Sequence, residues 1–386
     1  MLATAVVPKP PRRPARTAAA KPARDRATLS HLRSRIDRID DAILDLLVER
    51  FRVVEDVLRA KQRSGGAVYR PLREHVQLDR LERLAAGAGG PLSAEAVRAV
   101  FGEILSASRA LQGSPSIAFL GPEGTFSERA ARAQFGSAAR LVPVSSIPEV
   151  FASVERGRAQ LGIVPIENST EGMVGPTLDA LVASPLRIVA ERGLVVRHCL
   201  LTLAPRLDRI RRVVSHPQSL AQCREWLART LPDVPAIEVA SNAAAAARAA
   251  RSPSTAAIAS RDAAERYGLG VLAEDIQDAA NNVTRFVVLA PAGAPVEPGA
   301  GKMSVLFSVR NRPGALYRAL EPLARAGVDL CKLESRPMRG RSWEYLFFVD
   351  LRGAIEGARV RRALDGMERE CILFKVLGAY AEARST

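Results

Sequence analysis

The pattern of hydrophobic and polar residues divides the 386-residue chain into three regions. In residues 30–112 the apolar side chains recur at intervals of three and four, with breaks at 64–66 and 87–91, which predicts helices separated by turns. From 115 to 290, short runs of apolar β-forming residues alternate with helical stretches, as in an α/β fold. After a Pro- and Gly-rich linker at 291–301, strands and helices follow the order βαββαβ.

The predicted elements are short, except for the first helix. The strands are expected at 116–120, 161–166, 211–215, 286–290, 304–309, 328–333, 345–351 and 373–376, and the helices of the third region near 315–326 and 356–368. In the second region we expect two lobes around a cleft. The first helix is expected to run from about residue 30 to the break at 64, with an apolar seam suited to packing against other helices.

Composition limits the classes of protein. The apolar fraction of 47% is ordinary for a globular chain, and no unbroken apolar run reaches the roughly 20 residues of a membrane span. The four cysteines are far apart and form no C-x-x-C pair, which favours reduced thiols in a cytoplasmic protein over a disulfide framework or a zinc site. Part of the net charge of +15 lies in residues 1–28, a basic, Pro- and Ala-rich tail that is expected to be disordered.

The helical region carries charge in its seam. Arg50 occupies a seam position of the first helix, and Lys61 lies on the same stripe three turns later. Ser108 and Gln112 continue the apolar stripe of a later helix at i,i+4 spacing. Two cations and two hydrogen-bonding groups facing one interior describe a cage for a small dianion, although acidic partners would also satisfy the cations. Arg33 lies about 100° around the helix from Arg50 and is expected to face a neighbouring helix or subunit, which favours a dimer.

Polar loops follow the strands of the second region. These loops are residues 121–127, 164–172, 214–223 and 281–286. Ligands of open α/β sheets bind beyond the strand ends, so the loops predict a binding site there. The spacing of G-x-G-x-x-G and of a Walker loop is absent, which argues against a nucleotide. Taken alone, 281–286 is equally consistent with a turn that feeds a strand.

The helical region resembles the chorismate mutases that are fused to the front of bacterial P-proteins. The resemblance covers 30–112 and is carried by residues 32–37, 49–50, 60–61, 70–74, 108 and 112. It implies that Arg33 of the partner subunit and Arg50 bind the carboxylates of chorismate. It also implies that Lys61 and Gln112 address the ether oxygen, that Glu74 contacts the ring hydroxyl, and that Ser108 lines the site. Gln77 and Leu78 depart from the Arg-Glu that some members have there, which weakens the expected recognition of the hydroxyl.

Residues 115–290 resemble prephenate dehydratase domains, through the four polar loops in their order along the chain. The resemblance implies that Thr284 is the residue on which catalysis depends, with Asn168, Ser215 and Gln222 as active-site partners. Arg285 is included in the predicted catalytic group. Thr284 and Arg285 are consecutive, so they face the same side only if the strand bulges. His198 and His216 are alternative acids to which the family pattern gives no decisive role.

Residues 303–384 resemble the ACT regulatory domain that ends P-proteins. Gly314, Ala315 and Leu316 stand where a loop enters a helix, and Glu334, Ser335, Arg336 and Pro337 close the second strand of the domain. The resemblance implies that both segments bind phenylalanine at a subunit interface. A plain ferredoxin-like packing domain without a ligand is the alternative.

The whole chain is therefore expected to be multidomain: a disordered tail at 1–28, an all-α chorismate mutase module at 29–113, a two-lobed dehydratase domain of periplasmic-binding-protein type at 115–291, and an ACT domain at 302–384. The expected function is bifunctional conversion of chorismate through prephenate to phenylpyruvate, inhibited by phenylalanine, in a homodimer or larger homo-oligomer. No cofactor, metal, membrane or specific nucleic acid is expected. The alternatives are a monofunctional dehydratase with a non-catalytic helical dimerisation module, and a ligand-responsive transcription regulator.

Overall fold

The computed structural model describes residues 23–64, 68–294, 299–337, 345–353 and 357–383. The chain forms two compact units that divide between Val57 and Leu58, inside the first helix. No helix in the described ranges is both long and apolar enough to cross a membrane.

The first unit is the larger part of helix α1, Ala23–Ser64. The helix begins six residues before the expected start of the helical module at 29, because Ala, Arg and Asp after Pro22 favour a helix once the proline-rich stretch ends. The rest of the predicted tail, residues 1–22, lies outside the described residues. The seam residues of α1 are exposed in the single chain: Leu32, Ile36, Ile39, Ile43, Leu46, Val53 and Val57.

Two further helices complete the helical region. Helix α2, Pro71–Ala88, begins with a proline, and α3, Ala94–Leu111, begins after Ser93, whose hydroxyl accepts a hydrogen bond from Ala96 N at 3.1 Å. Arg98 of α3 joins the two helices, because its guanidinium binds Asp79 at 2.8 Å and Glu82 at 2.5 Å. The predicted breaks near 64–66 and 87–91 match the ends of α1 and α2.

The second region forms two sheets, as expected for two lobes. The elements of the first lobe are β1 Ser116–Leu120, α4 Phe126–Phe135, β2 Arg140–Val144, α5 Ile147–Glu155, β3 Leu161–Asn168, β4 Gly172–Met173, α6 Gly175–Ala183 and β5 Arg187–Val195. Those of the second lobe are β6 Cys199–Thr202, a 3₁₀ turn Leu207–Arg209, β7 Arg212–Ser215, α7 Pro217–Gln222, α8 Arg224–Thr230, β8 Ala236–Glu238, α9 Asn242–Ala249, β9 Thr255–Ala259, α10 Arg261–Tyr267 and β10 Gly270–Ala273. The chain then returns to the first lobe in β11, Val283–Ala290.

The return strand β11 is central to the first sheet. The strand order is β2-β1-β3-β11-β5, with β4 at the side of β3, and in the second lobe it is β10-β6-β9-β7-β8. Residues 286–290 of β11 are buried, as their apolar sequence predicts. The strand begins at Val283, earlier than predicted, because Thr284 and Arg285 pair with β3 and β5 on either side. The polar segment and the apolar run are therefore one strand.

The third region has the predicted βαββαβ order. Its elements are β12 Lys302–Ser308, α11 Ala315–Arg325, β13 Asp329–Pro337, β14 Tyr345–Arg352, α12 Ala358–Glu370 and β15 Leu373–Tyr380, in the antiparallel order β13-β14-β12-β15. One face of this sheet packs on α11 and α12, and the other shares an apolar core with the first lobe of the second region. At this contact a Cβ added to Gly378 of β15 would overlap the carbonyl oxygen of Ile188 in β5. Only glycine permits so close an approach of the two strands.

Candidate active sites

Asn168 and Thr284 meet at the ends of two paired strands. The β3·β11 register places the two residues opposite each other, and Asn168 Nδ2 donates to Thr284 Oγ1 at 2.9 Å. The same amide nitrogen donates to Asn282 Oδ1 at 2.8 Å, and Asn168 Oδ1 accepts from the backbone N–H of Thr170 at 3.0 Å. Asn168 is 5% exposed, so these bonds fix its side chain and hold the Thr284 oxygen in place.

Gln222 brings the second lobe to this cluster. It lies at the end of α7, and its Oε1 accepts hydrogen bonds from Asn282 Nδ2 and from His198 Nε2, both at 2.9 Å. Its Nε2 donates to Glu171 Oε1 at 2.9 Å. An amide oxygen only accepts, so the His198 Nε2 carries a proton. Gln222 thus links residues of both lobes through one side chain.

The two histidines that were considered as alternative acids, His198 and His216, both contact other groups of the protein. His198 is 1% exposed and packs edge-on against Phe126, with ring centroids 5.5 Å apart. Burial lowers the pKa of His198, which outweighs the opposite effect of its bond to Gln222 and keeps the ring neutral near neutral pH. His216 caps α7, because its Nδ1 accepts from Gln218 N at 3.3 Å. Both histidines therefore hold other groups in position.

The structure does not bring every predicted dehydratase residue together. Ser215 is fully buried in the second lobe, where its hydroxyl donates to Ile258 O at 2.7 Å and lies 3.3 Å from Asn242 Oδ1. In the loop at 121–127, Gly124 N–H donates to the carboxylate of Glu128 at 2.5 Å, so this amide is already paired with an anion of the chain itself.

Arg285, a member of the predicted catalytic group, lies among acidic side chains, and its part in catalysis stays a prediction. Its guanidinium contacts Glu167 at 3.0 Å, Glu191 at 3.0 Å and Asp350 at 2.8 Å, on the side of β11 that faces the third region. The side chains of Thr284 and Arg285 point to opposite faces because they are consecutive in a strand. The one irregularity in the β3·β11 pairing follows Arg285, so it does not turn both residues to one side. Burial acts to lower the pKa of Arg285, but Asp350 and the other nearby acidic groups outweigh it and raise that pKa.

In the helical region, Lys61 and Gln112 lie together. Lys61 Nζ donates to Gln112 Oε1 at 2.9 Å, and Gln112 Nε2 donates back to Ser108 O at 3.1 Å. The Ser108 hydroxyl donates within its own helix to Ile104 O at 2.6 Å. Burial, followed by repulsion from Arg70 and Arg73, lowers the pKa of Lys61, which indicates a cation held in a partly desolvated, electropositive place.

Glu74 has a partner that the sequence analysis missed. Arg109 Nη1 donates to Glu74 Oε2 at 2.5 Å, and Arg109 Nη2 donates to Phe135 O at 2.6 Å. Arg109 is 5% exposed and lies over the ring of Tyr69. The sequence did contain a signal for this pair. Arg109 directly follows Ser108 near the end of a helix with a buried stripe, and an arginine that is buried there needs an acidic partner.

The two other predicted mutase residues belong to the first unit. Arg33 is exposed there, while Arg50 is half-buried and burial lowers its pKa. Their roles in binding carboxylates stay predictions.

One predicted effector-binding segment lies at the start of α11, and the other lies at the end of β13. Gly314 precedes α11 with φ +73°, a conformation suited to glycine, while residues 334–337 end β13 at the sheet edge, beyond the intervening β14. Arg336 is engaged elsewhere, because its Nη1 donates to Gly175 O at 2.9 Å and to Asp179 Oδ1 at 3.2 Å in α6. The role of both segments in binding an effector stays a prediction.

The fold and the polar clusters define a fused enzyme: a helical module and a two-lobed α/β domain, each with its own site, followed by a small domain of regulatory type. Family models match in the same order: chorismate mutase type II at residues 32–113, prephenate dehydratase at 117–294 and the ACT domain at 303–368. The bifunctional chorismate mutase/prephenate dehydratase of Aquifex aeolicus is 40% identical over 92% of this chain and 98% of its own length. The chain belongs to this bifunctional family.

Solved structures that cover more than two thirds of this chain include a prephenate dehydratase. Prephenate dehydratase from Arthrobacter aurescens in complex with L-Phe is 36% identical, with a TM-score of 0.64, over 70% of this chain and 91% of that chain. A chain described as a novel type of quorum-quenching acylase is 34% identical, with a TM-score of 0.63, over 69% of this chain and 98% of that chain.

The enzyme therefore has two activities in phenylalanine biosynthesis. It rearranges chorismate to prephenate and converts prephenate to phenylpyruvate with loss of carbon dioxide and water. The match of the helical region and the full-length relatives set aside the monofunctional dehydratase and the transcription regulator.

Proposed function

We propose that Thr284 assists the departure of the hydroxyl group from prephenate. The supporting observation is the hydrogen bond from Asn168 Nδ2 to Thr284 Oγ1. An amide nitrogen only donates, so the Thr284 oxygen accepts this bond and its own proton is directed elsewhere. A proton directed at the leaving oxygen stabilises the negative charge that grows there as the ring carboxylate leaves as carbon dioxide.

We infer that Asn168, Asn282 and Gln222 fix the position of Thr284 and link the two lobes beside it. Gln222 comes from the second lobe and bonds to Asn282, which bonds to Asn168 in the first lobe. A chain of amides that crosses between lobes orients the donor before the substrate binds. Ser215 contributes to the floor of the second lobe rather than to this chain.

For the mutase, we propose that Lys61 and Gln112 donate hydrogen bonds to the ether oxygen of chorismate. The 2.9 Å hydrogen bond between Lys61 Nζ and Gln112 Oε1 supports this proposal, because it places the two side chains side by side. The rearrangement is pericyclic and transfers no proton to protein. Donors at the ether oxygen bind more strongly as its bond to carbon breaks, so they stabilise the transition state more than the ground state. We assign Arg33 and Arg50 to the carboxylates by family resemblance alone.

We propose that phenylalanine inhibits the dehydratase by binding to the ACT domain. The domain matches the ACT family model over residues 303–368, and a similar solved dehydratase is described as a complex with L-Phe. The start of α11 after Gly314 presents backbone N–H groups of a helix N-terminus, which suit a carboxylate. Strand β13 is at the sheet edge, so a second copy is able to supply the other segment.

Adding phenylalanine to the purified enzyme should lower the rate at which prephenate is converted to phenylpyruvate. We expect a coupling of about 1–3 kcal/mol between effector and substrate, which is a 5- to 150-fold shift in apparent affinity. Phenylpyruvate formation is followed from chorismate and from prephenate, with and without phenylalanine, and with tyrosine as the control. An unchanged rate at saturating phenylalanine, with direct calorimetry showing no binding, would contradict the regulatory role and leave both activities intact.

We propose that the enzyme is a homodimer, or a larger homo-oligomer, built on α1. Seam residues such as Ile36 at 56%, Ile43 at 50% and Leu46 at 65% exposure form a continuous apolar stripe along the helix of a single chain. Such a stripe is stable in water only when another helix covers it. The spacing of the stripe favours a second copy of the same helix. We place the enzyme in the cytoplasm because all four of its cysteines are free thiols.

Replacing Ile43 by glutamate should dissociate the oligomer, because it places a charge in the apolar stripe. The matched control is Asp41→Lys, a charge change at an exposed position on the opposite side of the helix. Light scattering coupled to size exclusion measures the mass of each variant. If Ile43→Glu has the same mass as the unmodified enzyme, α1 is not the main interface.

A further inference from the structure

A buried arginine lies among the predicted mutase residues at the end of α3. Arg109 is 5% exposed, directly follows Ser108 and stands one turn before Gln112. The chorismate mutase resemblance implies roles for both of these neighbours and none for Arg109. An arginine buried at such a place requires a compensating charge and hydrogen-bond acceptors, so its contacts indicate what it does there.

The guanidinium of Arg109 is held on three sides. Its Nη1 donates to Glu74 Oε2 at 2.5 Å, and its Nη2 donates to Phe135 O at 2.6 Å. Its Cζ lies 5.9 Å from the centre of the Tyr69 ring, and the Tyr69 hydroxyl accepts a hydrogen bond from Gln134 Nε2 at 2.8 Å. A planar guanidinium with two such bonds and an aromatic contact has one favourable orientation. Arg109 therefore holds the carboxylate of Glu74 in a defined place.

The carbonyl that binds Arg109 belongs to a well-packed part of the dehydratase domain. Phe135 is fully buried at the end of α4, and the next residue, Gly136, approaches α3 so closely that a Cβ there would overlap the side chain of Ser106. The Ser106 hydroxyl accepts a hydrogen bond from Ala138 N at 3.1 Å. The end of α3 is thus fixed against the end of α4, which gives Arg109 a rigid base.

Glu74 lies near Lys61, which is bonded to Gln112. It stands in the first turn of α2, and it is the acid for which the family resemblance implies contact with the ring hydroxyl of chorismate. Burial lowers the pKa of Lys61, and the negative charge of Glu74 is near enough to oppose that shift. The bond from Arg109 uses Oε2, and a carboxylate has two acceptor oxygens. The same carboxylate is therefore able to bind Arg109 and a substrate hydroxyl together.

We propose that Arg109 is a positioning residue of the mutase: it orients the Glu74 carboxylate toward the ring hydroxyl of chorismate. This proposal rests on the predicted contact between Glu74 and that hydroxyl. Gln77 and Leu78 follow Glu74 on the same side of α2, at the positions where some members of the family have Arg-Glu. In this chain Arg109 supplies a positive charge beside Glu74 from α3, so recognition of the hydroxyl is retained by a different route.

A second arginine of α3 provides the matched control. Arg98 lies roughly three turns earlier in the helix and also joins α3 to α2, through Asp79 at 2.8 Å and Glu82 at 2.5 Å. Neither Asp79 nor Glu82 is a predicted mutase residue. Loss of Arg98 therefore weakens the packing of α2 on α3 without releasing Glu74.

The test compares Arg109→Met with Arg98→Met in the full-length enzyme. We expect Arg109→Met to lower mutase kcat/KM for chorismate by about 10- to 100-fold, the usual effect of losing one hydrogen bond to a charged group. Arg98→Met should leave kcat/KM nearly unchanged. Dehydratase activity and the midpoint of thermal unfolding, measured on each variant, establish that the chain is folded.

A substrate without the ring hydroxyl separates positioning from a general structural effect. With a chorismate analogue that has hydrogen in place of this hydroxyl, Arg109→Met and the unmodified enzyme should have nearly the same kcat/KM, because Glu74 has no hydroxyl to bind. With chorismate, Arg109→Met combined with Glu74→Gln should be no worse than Glu74→Gln alone, since both changes break one linkage. Arg109→Lys keeps the charge but not the fork that binds Glu74 and Phe135 O together. It should show an intermediate loss with chorismate only, and it gives the answer if Arg109→Met fails to fold.

Equal losses of Arg109→Met with chorismate and with the analogue would overturn the proposal in favour of a structural role, and so would equal losses in Arg109→Met and Arg98→Met. Glu74→Gln tests the underlying assumption: if that variant rearranges chorismate with normal kcat/KM, the predicted contact with the hydroxyl is wrong and the proposal fails with it. A large loss in Glu74→Gln together with normal kcat/KM in Arg109→Met refutes the positioning role alone.

Discussion

Replacing Thr284 by alanine should lower dehydratase kcat by at least about a hundredfold, because the variant lacks the donor at the leaving oxygen. Chorismate mutase activity should be unaffected, since Lys61 and Gln112 lie in a different domain. The two rates are measured separately on one preparation, as loss of chorismate and as formation of phenylpyruvate from prephenate. The intact mutase rate then shows that the protein is folded.

Thr284→Ser is the matched control, because it retains the hydroxyl and should keep most of the activity. Asn168→Ala should show an intermediate loss: the hydroxyl remains but loses the amide that orients it at 2.9 Å. If Thr284→Ala turns over prephenate at the normal rate, the reaction uses another donor and the amide cluster has a structural role.

Replacing Lys61 by methionine should reduce mutase kcat by roughly 10²–10³-fold, the usual loss when one donor to a developing anion is removed. The dehydratase, which lies in another domain, should keep its rate. Burial and the neighbouring arginines lower the pKa of Lys61, so the charged, active form is lost at a lower pH than for an ordinary lysine with a pKa near 10.4. Mutase kcat of the unmodified enzyme should therefore fall as pH rises toward that value.

Gln112→Glu provides the complementary test of Lys61. A carboxylate at the position that accepts the 2.9 Å bond favours the charged lysine, so it should raise the pKa of Lys61 and move the alkaline decline to higher pH. The pH profile of mutase kcat is measured for Gln112→Glu, for Lys61→Met and for the unmodified enzyme. A decline at the same pH in Lys61→Met and in the unmodified enzyme would show that Lys61 is not the titrating group.

Much of the site follows from local sequence. A run of buried β-formers after 281–286 predicted β11, and strand ends of one sheet meet at one edge, so Thr284 and Asn168 were expected to lie together. Helical spacing likewise placed Ser108 and Gln112 on one stripe, and Gln112 does meet Lys61. Both inferences need only the period of an element and the position of a polar residue within it.

The rest depends on packing between distant segments. The partner of Arg285 in the ACT domain is Asp350, and the partner of Arg109 in the dehydratase domain is the carbonyl of Phe135. No periodicity within an element specifies which domain a charged side chain will meet. The contact of Arg336 with α6 was missed for the same reason, because β13 alone does not show which face the dehydratase domain covers.

The two faces of β11 carry different side chains, Thr284 on one and Arg285 on the other, and this limits which changes in the sequence the strand tolerates. A dehydratase domain separated from its ACT domain would keep Arg285 with Glu167 and Glu191, one positive charge against two negative ones, at a surface newly open to water. Inserting or deleting one residue in β11 would exchange the directions of Thr284 and Arg285. Loss of the ACT domain would therefore leave an excess of negative charge beside β11, which substitution of one of these two carboxylates would remove.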